Sequence, residues 1–206
     1  MSNSTDYQQD LASIRHLMEK SAKFLSLSGL SGALAGLYAL VGSAYAYTQL
    51  YQGGQLRAFQ PEQLQPLVGT LLIMALTILL LSLSTGLWFS FRKAKRNNTP
   101  FWSETAKRLV INLAVPVATG GVFILMLLAN EYYSLVVAVC LLFYGLALIN
   151  ASNHLYEEVR YLGYIEIFLG LLAGWFTQYG LFFWAIGFGV LHIIYGTVMY
   201  FRYDRS

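Results

Sequence analysis

The chain has 206 residues, 57% of them hydrophobic and only 11% charged, against about 25% charged in a soluble globular domain, so a bilayer is its natural solvent. The net charge of +3 does not describe a nucleic-acid-binding face, because the basic residues are confined to loops between long apolar runs. The single cysteine, Cys140, lies inside one such run; this excludes an intrachain disulfide and a paired-thiolate metal site and leaves a small buried hydrophobe.

Residues 1–23 carry Asp6, Asp10, Arg15, Glu19, Lys20 and Lys23. No short apolar core with a small-residue cleavage site follows them, so no cleaved signal peptide is expected. Leu11, Ile14, Leu17 and Met18 recur at steps of three and four with charges between them. That spacing predicts a short cytoplasmic amphipathic helix at the inner interface, or a straight extension of the first span, with His16 on its polar side.

Residues 24–206 read as an all-α integral membrane domain of six transmembrane helices. Each needs about 20 apolar residues to cross a ~30 Å hydrocarbon core at ~1.5 Å per residue. The segments are Phe24 to Tyr47, Leu67 to Phe91, Leu109 to Ala129, Tyr133 to Ala151, Val159 to Phe176 and Leu181 to Phe201, the fifth being the shortest. The first carries Gly29, Gly32, Gly36, Ala39 and Gly42, a small-residue stripe that admits another helix closely, either from a second copy in a homodimer or from the same chain. Gly170, Gly174, Gly189 and Gly196 offer the same choice in the last two spans.

Between the first two spans, an outer loop contains Gly53-Gly54, and Pro66 suits the first turn of the second helix. The next loop, Arg92-Lys93-Ala94-Lys95-Arg96 followed by Thr99-Pro100-Phe101-Trp102, joins a basic cluster to interfacial aromatics. It reads as a topology anchor able to meet anionic lipid through Arg92, Lys93, Lys95 and Arg96, with Thr99 as a helix start. In the third span, Pro116 has no N–H and obstructs the helix four residues back, so the carbonyl it frees is that of Asn112. With Gly120 and Gly121 close behind, the expectation is a broken helix, or else a plain kink.

Counting lysine and arginine in alternate loops sets the orientation. Arg15, Lys20, Lys23, Arg92, Lys93, Lys95, Arg96, Lys107, Arg108, Arg160, Arg202 and Arg205 fall on one side and Arg57 alone on the other. Both termini are therefore expected in the cytoplasm of an inner-membrane type of protein.

The run from Asn150 to Glu166 crowds titratable residues between two apolar segments. Apart from Arg160, at the very start of the fifth, Glu166 is the only Asp, Glu, Lys or Arg inside any span. With turns near Gln178-Tyr179 and Glu131, Glu166 and His192 are about equally far from the first turn, and Asn112 and Asn150 are equidistant from the second. Each pair is thus expected at one depth in an antiparallel hairpin. Tyr164 and Tyr195 are deep enough to support Glu166 or His192. His154, Glu157, Glu158 and Arg160 would form a cytoplasmic vestibule, or a solvated turn with local ion pairs. His154, Glu158, Glu166 and His192 also contain the atoms that a divalent metal uses, although their spacing matches no standard metal motif; no other cofactor is implied.

Three functions fit these residues. The first is a cytoplasm-facing polar cavity around Glu166 and His192 that binds or moves a small solute or cation, with Asn112 and Asn150 offering neutral oxygens and Glu166 linked to a proton. The second is a non-catalytic subunit or regulator in which the polar cluster is structural. The third is a metal-dependent intramembrane hydrolase.

Overall fold

The computed structural model describes residues 28–57, 60–98 and 100–205. The expected N-terminal amphipathic helix, with His16, and the expected helix start at Thr99 lie outside the described residues. Six long helices follow one another: α1 (Gly29–Leu50), α2 (Pro61–Arg96), α3 (Glu104–Ala129), α4 (Tyr133–Ser152, opening with a 3-10 turn), α5 (Glu157–Trp175) and α6, the composite rod Thr177–Asp204. All but α5 are long and apolar enough to cross a membrane. Among its 19 residues α5 carries Glu157, Glu158, Arg160 and Glu166, and this charge load sets it apart.

The connections follow local chemistry. Gly53 (φ 61°) and Gly54 (φ 82°) both adopt left-handed backbone, as a tight two-residue hairpin turn demands. They join two short antiparallel strands, β1 (Tyr51–Gln52) and β2 (Gln55–Leu56), the one departure from all-α structure among the described residues. Pro61, not Pro66, occupies the first position of α2, so this helix begins earlier than expected and Pro66 lies inside it. Ser103 caps α3 by accepting from the Ala106 N–H at 3.1 Å. Glu131, at φ 63°, turns the chain between α3 and α4.

In space, α1 lies between α2 and α6, α6 touches α4 and α5, α4 packs along α5, and α3 covers the other side of α4. Small residues set the close approaches. A methyl on Gly145 would sit 2.7 Å from the Gly163 carbonyl, and one on Gly163 would sit 2.9 Å from that of Gly145, so the α4 and α5 backbones touch. The glycine stripe of α1 is used in the same way. Gly29 and Gly32 face Gly196, Gly36 faces Gly189 and Ile193, and Gly42 faces Ile78 of α2, so α6 of the same chain meets the first part of the stripe and α2 its end. The most apolar stretch of α2, by contrast, has no buried residue.

Near Ser28 a polar lock ties three helix ends. No side chain of its own segment caps α1; instead, the Asp204 carboxylate accepts from the Gly29 N–H at 2.8 Å and from the Ser28 hydroxyl at 3.1 Å. The other Asp204 oxygen receives Lys93 Nζ at 2.6 Å, with both side chains under a tenth exposed. Lys93 is thereby withdrawn from the lipid-facing cluster expected of Arg92, Lys93, Lys95 and Arg96, while the other three stay exposed.

Candidate functional site

On α5, Leu162, Glu166 and Leu169 succeed one another at steps of four and three, so they share the face turned toward α4 and α6. Leu162 belongs to one apolar cluster, with Leu109, Leu148, Ala151, Leu155 and Val159; Leu169 belongs to a second, with Ala138, Leu141 and Ala173. Glu166 lies between them and is completely buried. Neither of its carboxyl oxygens receives a hydrogen bond from a described group.

The sixth helix is shaped around this carboxyl. Its segment Ala185–Leu191 is a π-helix, a form that frequently marks functional positions in longer helices. Within it, a methyl on Gly187 would meet Glu166 Oε2 at 2.6 Å; the absent side chain is the space that the carboxyl occupies. His192 Nδ1 stands 3.7 Å from Glu166 Oε1 and 2.9 Å from the Gly187 carbonyl. A carbonyl only accepts, so Nδ1 carries the hydrogen. Nε2 of a neutral ring then accepts from the Tyr144 hydroxyl at 2.7 Å. Glu166, His192 and Tyr144, from three helices, form one enclosed group.

The other expected residues form separate groups. The Asn150 side-chain amide donates to the Asn112 carbonyl at 2.7 Å. This is the carbonyl that Pro116 frees, and the donor comes from the neighbouring helix at the same depth. The helix break expected at Pro116, Gly120 and Gly121 is absent: α3 runs unbroken from Glu104 to Ala129, because Asn150 supplies the missing donor and Gly120 closes onto Phe143. Asn112 in turn meets His154 Nδ1 at 3.3 Å. Asn150→Leu is expected to cost roughly 1 kcal/mol. Pro116→Ala, which restores the backbone donor, should remove most of that loss in the double variant. Chemical unfolding in detergent reads both values, and equal losses with and without proline would disprove the pairing.

Glu158 accepts from Arg202 at 2.6 Å and from the Tyr203 hydroxyl at 3.0 Å. With Glu157, Tyr156 and Tyr161 these residues line a polar pocket of about 310 Å³. Burial, followed by Tyr203, Asp204 and Glu158, pushes the Tyr156 hydroxyl up to about 12. Arg160 is turned to Ser152 and Asn153, at 3.2 and 3.3 Å.

Three further expectations are overturned. His154, Glu158, Glu166 and His192 do not converge on a metal: their partners differ, and among the described residues no three His, Cys, Asp or Glu side chains come together. Tyr164 is half exposed on the outside of α5 and supports neither Glu166 nor His192. Tyr144, which does, was missed. Its signal was its position, a phenol deep in the fourth span and far from either interface, where tyrosine otherwise gathers. The space around Glu166 is also closed, with apolar packing toward both ends, where a cavity open to the cytoplasm was expected. No family model matches the chain, and no curated protein or solved structure matches it.

Proposed function

We propose that the chain is a six-span inner-membrane protein with both termini in the cytoplasm, and that its buried Glu166, partnered by His192, is a protonation site coupled to the binding or passage of a small solute or cation. The observation that carries this is a fully enclosed carboxyl that takes no hydrogen bond from a described group while an imidazole nitrogen stands 3.7 Å away. An acid inside a membrane helix costs several kcal/mol and characteristically lies on a proton or substrate path.

The topology is supported by which helix ends meet. Lys93, Asp204 and Gly29 are joined at one end, Arg202 and Glu158 meet there too, and Arg57 belongs to the outer hairpin. The positive-inside rule assigns the first end to the cytoplasm. On this topology α5 crosses as the antiparallel partner of α4 despite its charges, and Arg92, Lys95 and Arg96 face anionic headgroups.

The test uses protein reconstituted into vesicles that hold a trapped pH dye. Under an imposed pH gradient, wild type is expected to show cation- or solute-dependent proton movement. Glu166→Gln should abolish it at unchanged expression and melting temperature, and undiminished movement in that variant would sink the proposal. The sealed packing around Glu166 favours a second reading, a non-catalytic subunit or regulator in which the cluster is structural. Its signature is the absence of proton movement in wild type and a Glu166→Gln substitution that changes only the melting temperature.

A further inference from the structure

Tyr195 holds the one tyrosine hydroxyl among the described residues that is buried without a hydrogen-bond partner. Its ring is fixed on two sides: it lies over Gly32, whose added methyl would be 3.4 Å from Cδ1, and it packs on the apolar cluster that includes Val159 and Leu162. Tyr144 packs on that same cluster. Tyr195 follows His192 by three residues and so shares its face of α6. On α5, Glu158 and Glu166 are eight residues apart, about 12 Å along the axis, with apolar Val159 and Leu162 between them. Tyr195 stands beside this interval. Tyr144, whose hydroxyl bonds His192 Nε2, reaches the same apolar cluster from α4.

We propose that Tyr195 is the relay hydroxyl through which a proton passes between Glu158, at the polar pocket, and the buried group of Tyr144, His192 and Glu166. The relay rests on the reading of Glu166 as a protonation site. A proton leaves the Glu158 carboxyl for the Tyr195 oxygen as the Tyr195 proton passes to the Tyr144 oxygen, each gap crossed through a water molecule. The Tyr144 proton moves to His192 Nε2, and the Nδ1 proton turns from the Gly187 carbonyl to Glu166 Oε1. One proton enters and one arrives; both phenols end neutral, and the ring ends as its Nε2–H tautomer, which reverts when Glu166 returns its proton along the same route. The titratable and charged groups facing this route are Glu158 on α5, Tyr156 before it, His192, Arg202, Tyr203 and Asp204 on α6, Tyr144 on α4, and Lys93 of α2 through Asp204. The faces of α1 and α3 that meet it contribute Gly32, Leu109 and Leu113.

The experiment is a pH jump on the reconstituted full chain, followed by the infrared band of the protonated carboxyl. Wild type should show a band that Glu166→Gln removes. Tyr195→Phe, which deletes only a hydroxyl without a partner, should keep the band's final amplitude and the melting temperature but slow its appearance at least tenfold. Glu158→Gln should slow it as well, while Tyr164→Phe, on the outer face of α5, should not. A band unaltered in Glu166→Gln, or missing from wild type, overturns the protonation site and the relay with it. A Glu166 band that appears in Tyr195→Phe at the wild-type rate overturns the relay alone. Slowing by Tyr195→Phe without slowing by Glu158→Gln overturns Glu158 as its mouth.

Discussion

Gly196→Ala is expected to destabilise the folded protein by about 3 kcal/mol, while the same exchange at Gly86 stabilises it by about 0.5–1 kcal/mol. Both glycines are interior helix positions, where alanine is the better helix former. They differ in what a methyl would meet. At Gly86 nothing lies within 4 Å. At Gly196 the Gly29 carbonyl oxygen would be 2.6 Å away and the Gly32 carbonyl carbon 2.8 Å, with the Ala33 nitrogen nearer still. All three are backbone atoms of α1, so no side chain can swing aside and the two helices must separate. Unfolding in detergent by a denaturing surfactant measures both variants. A Gly196→Ala protein as stable as Gly86→Ala would mean that α1 does not rest on α6.

The second large effect is expected at the same end of this seam, where α1 begins. Asp204→Ala should cost on the order of 3–5 kcal/mol, the range for removing one partner of a buried ion pair. The Lys93 ammonium loses its 2.6 Å partner in a place where both side chains are under a tenth exposed. The first N–H of α1 also loses the side chain that caps it. Replacing both charges, as Lys93→Met with Asp204→Leu, should cost clearly less than Asp204→Ala, because no buried charge is then left behind. The double-variant cycle is read by the same unfolding measurement, and strictly additive losses would show that the two side chains do not interact.

Depth was legible in the sequence because turns were. Glu131 and Gln178 marked the hairpins, and counting residues outward from them brought Asn150 to the Asn112 carbonyl and His192 to Glu166. Facing was not legible. A helix in lipid is apolar on every side, so nothing in α4 singled out Tyr144 as inward, and nothing near the start of α5 marked Tyr164 as outward. The π segment Ala185–Leu191 compounds this, since a wider turn shifts the face on which every later residue of α6 appears. Lys93 was hidden by its neighbours: within a run of basic residues one lysine looks like the rest, and its partner lies 111 positions away. The expected metal set failed for a related reason. His154, Glu158 and Glu166 are close in sequence, but each is claimed by a different residue from another part of the chain.

Because α1 is seated on α6, synthesis imposes a waiting period. Gly29 and the carboxylate that caps it are separated by 175 positions, so α1 enters the bilayer long before its partner leaves the ribosome. Lipid tails must line its groove until then, and a chain that terminates early strands α1 and α2 as an unanchored pair.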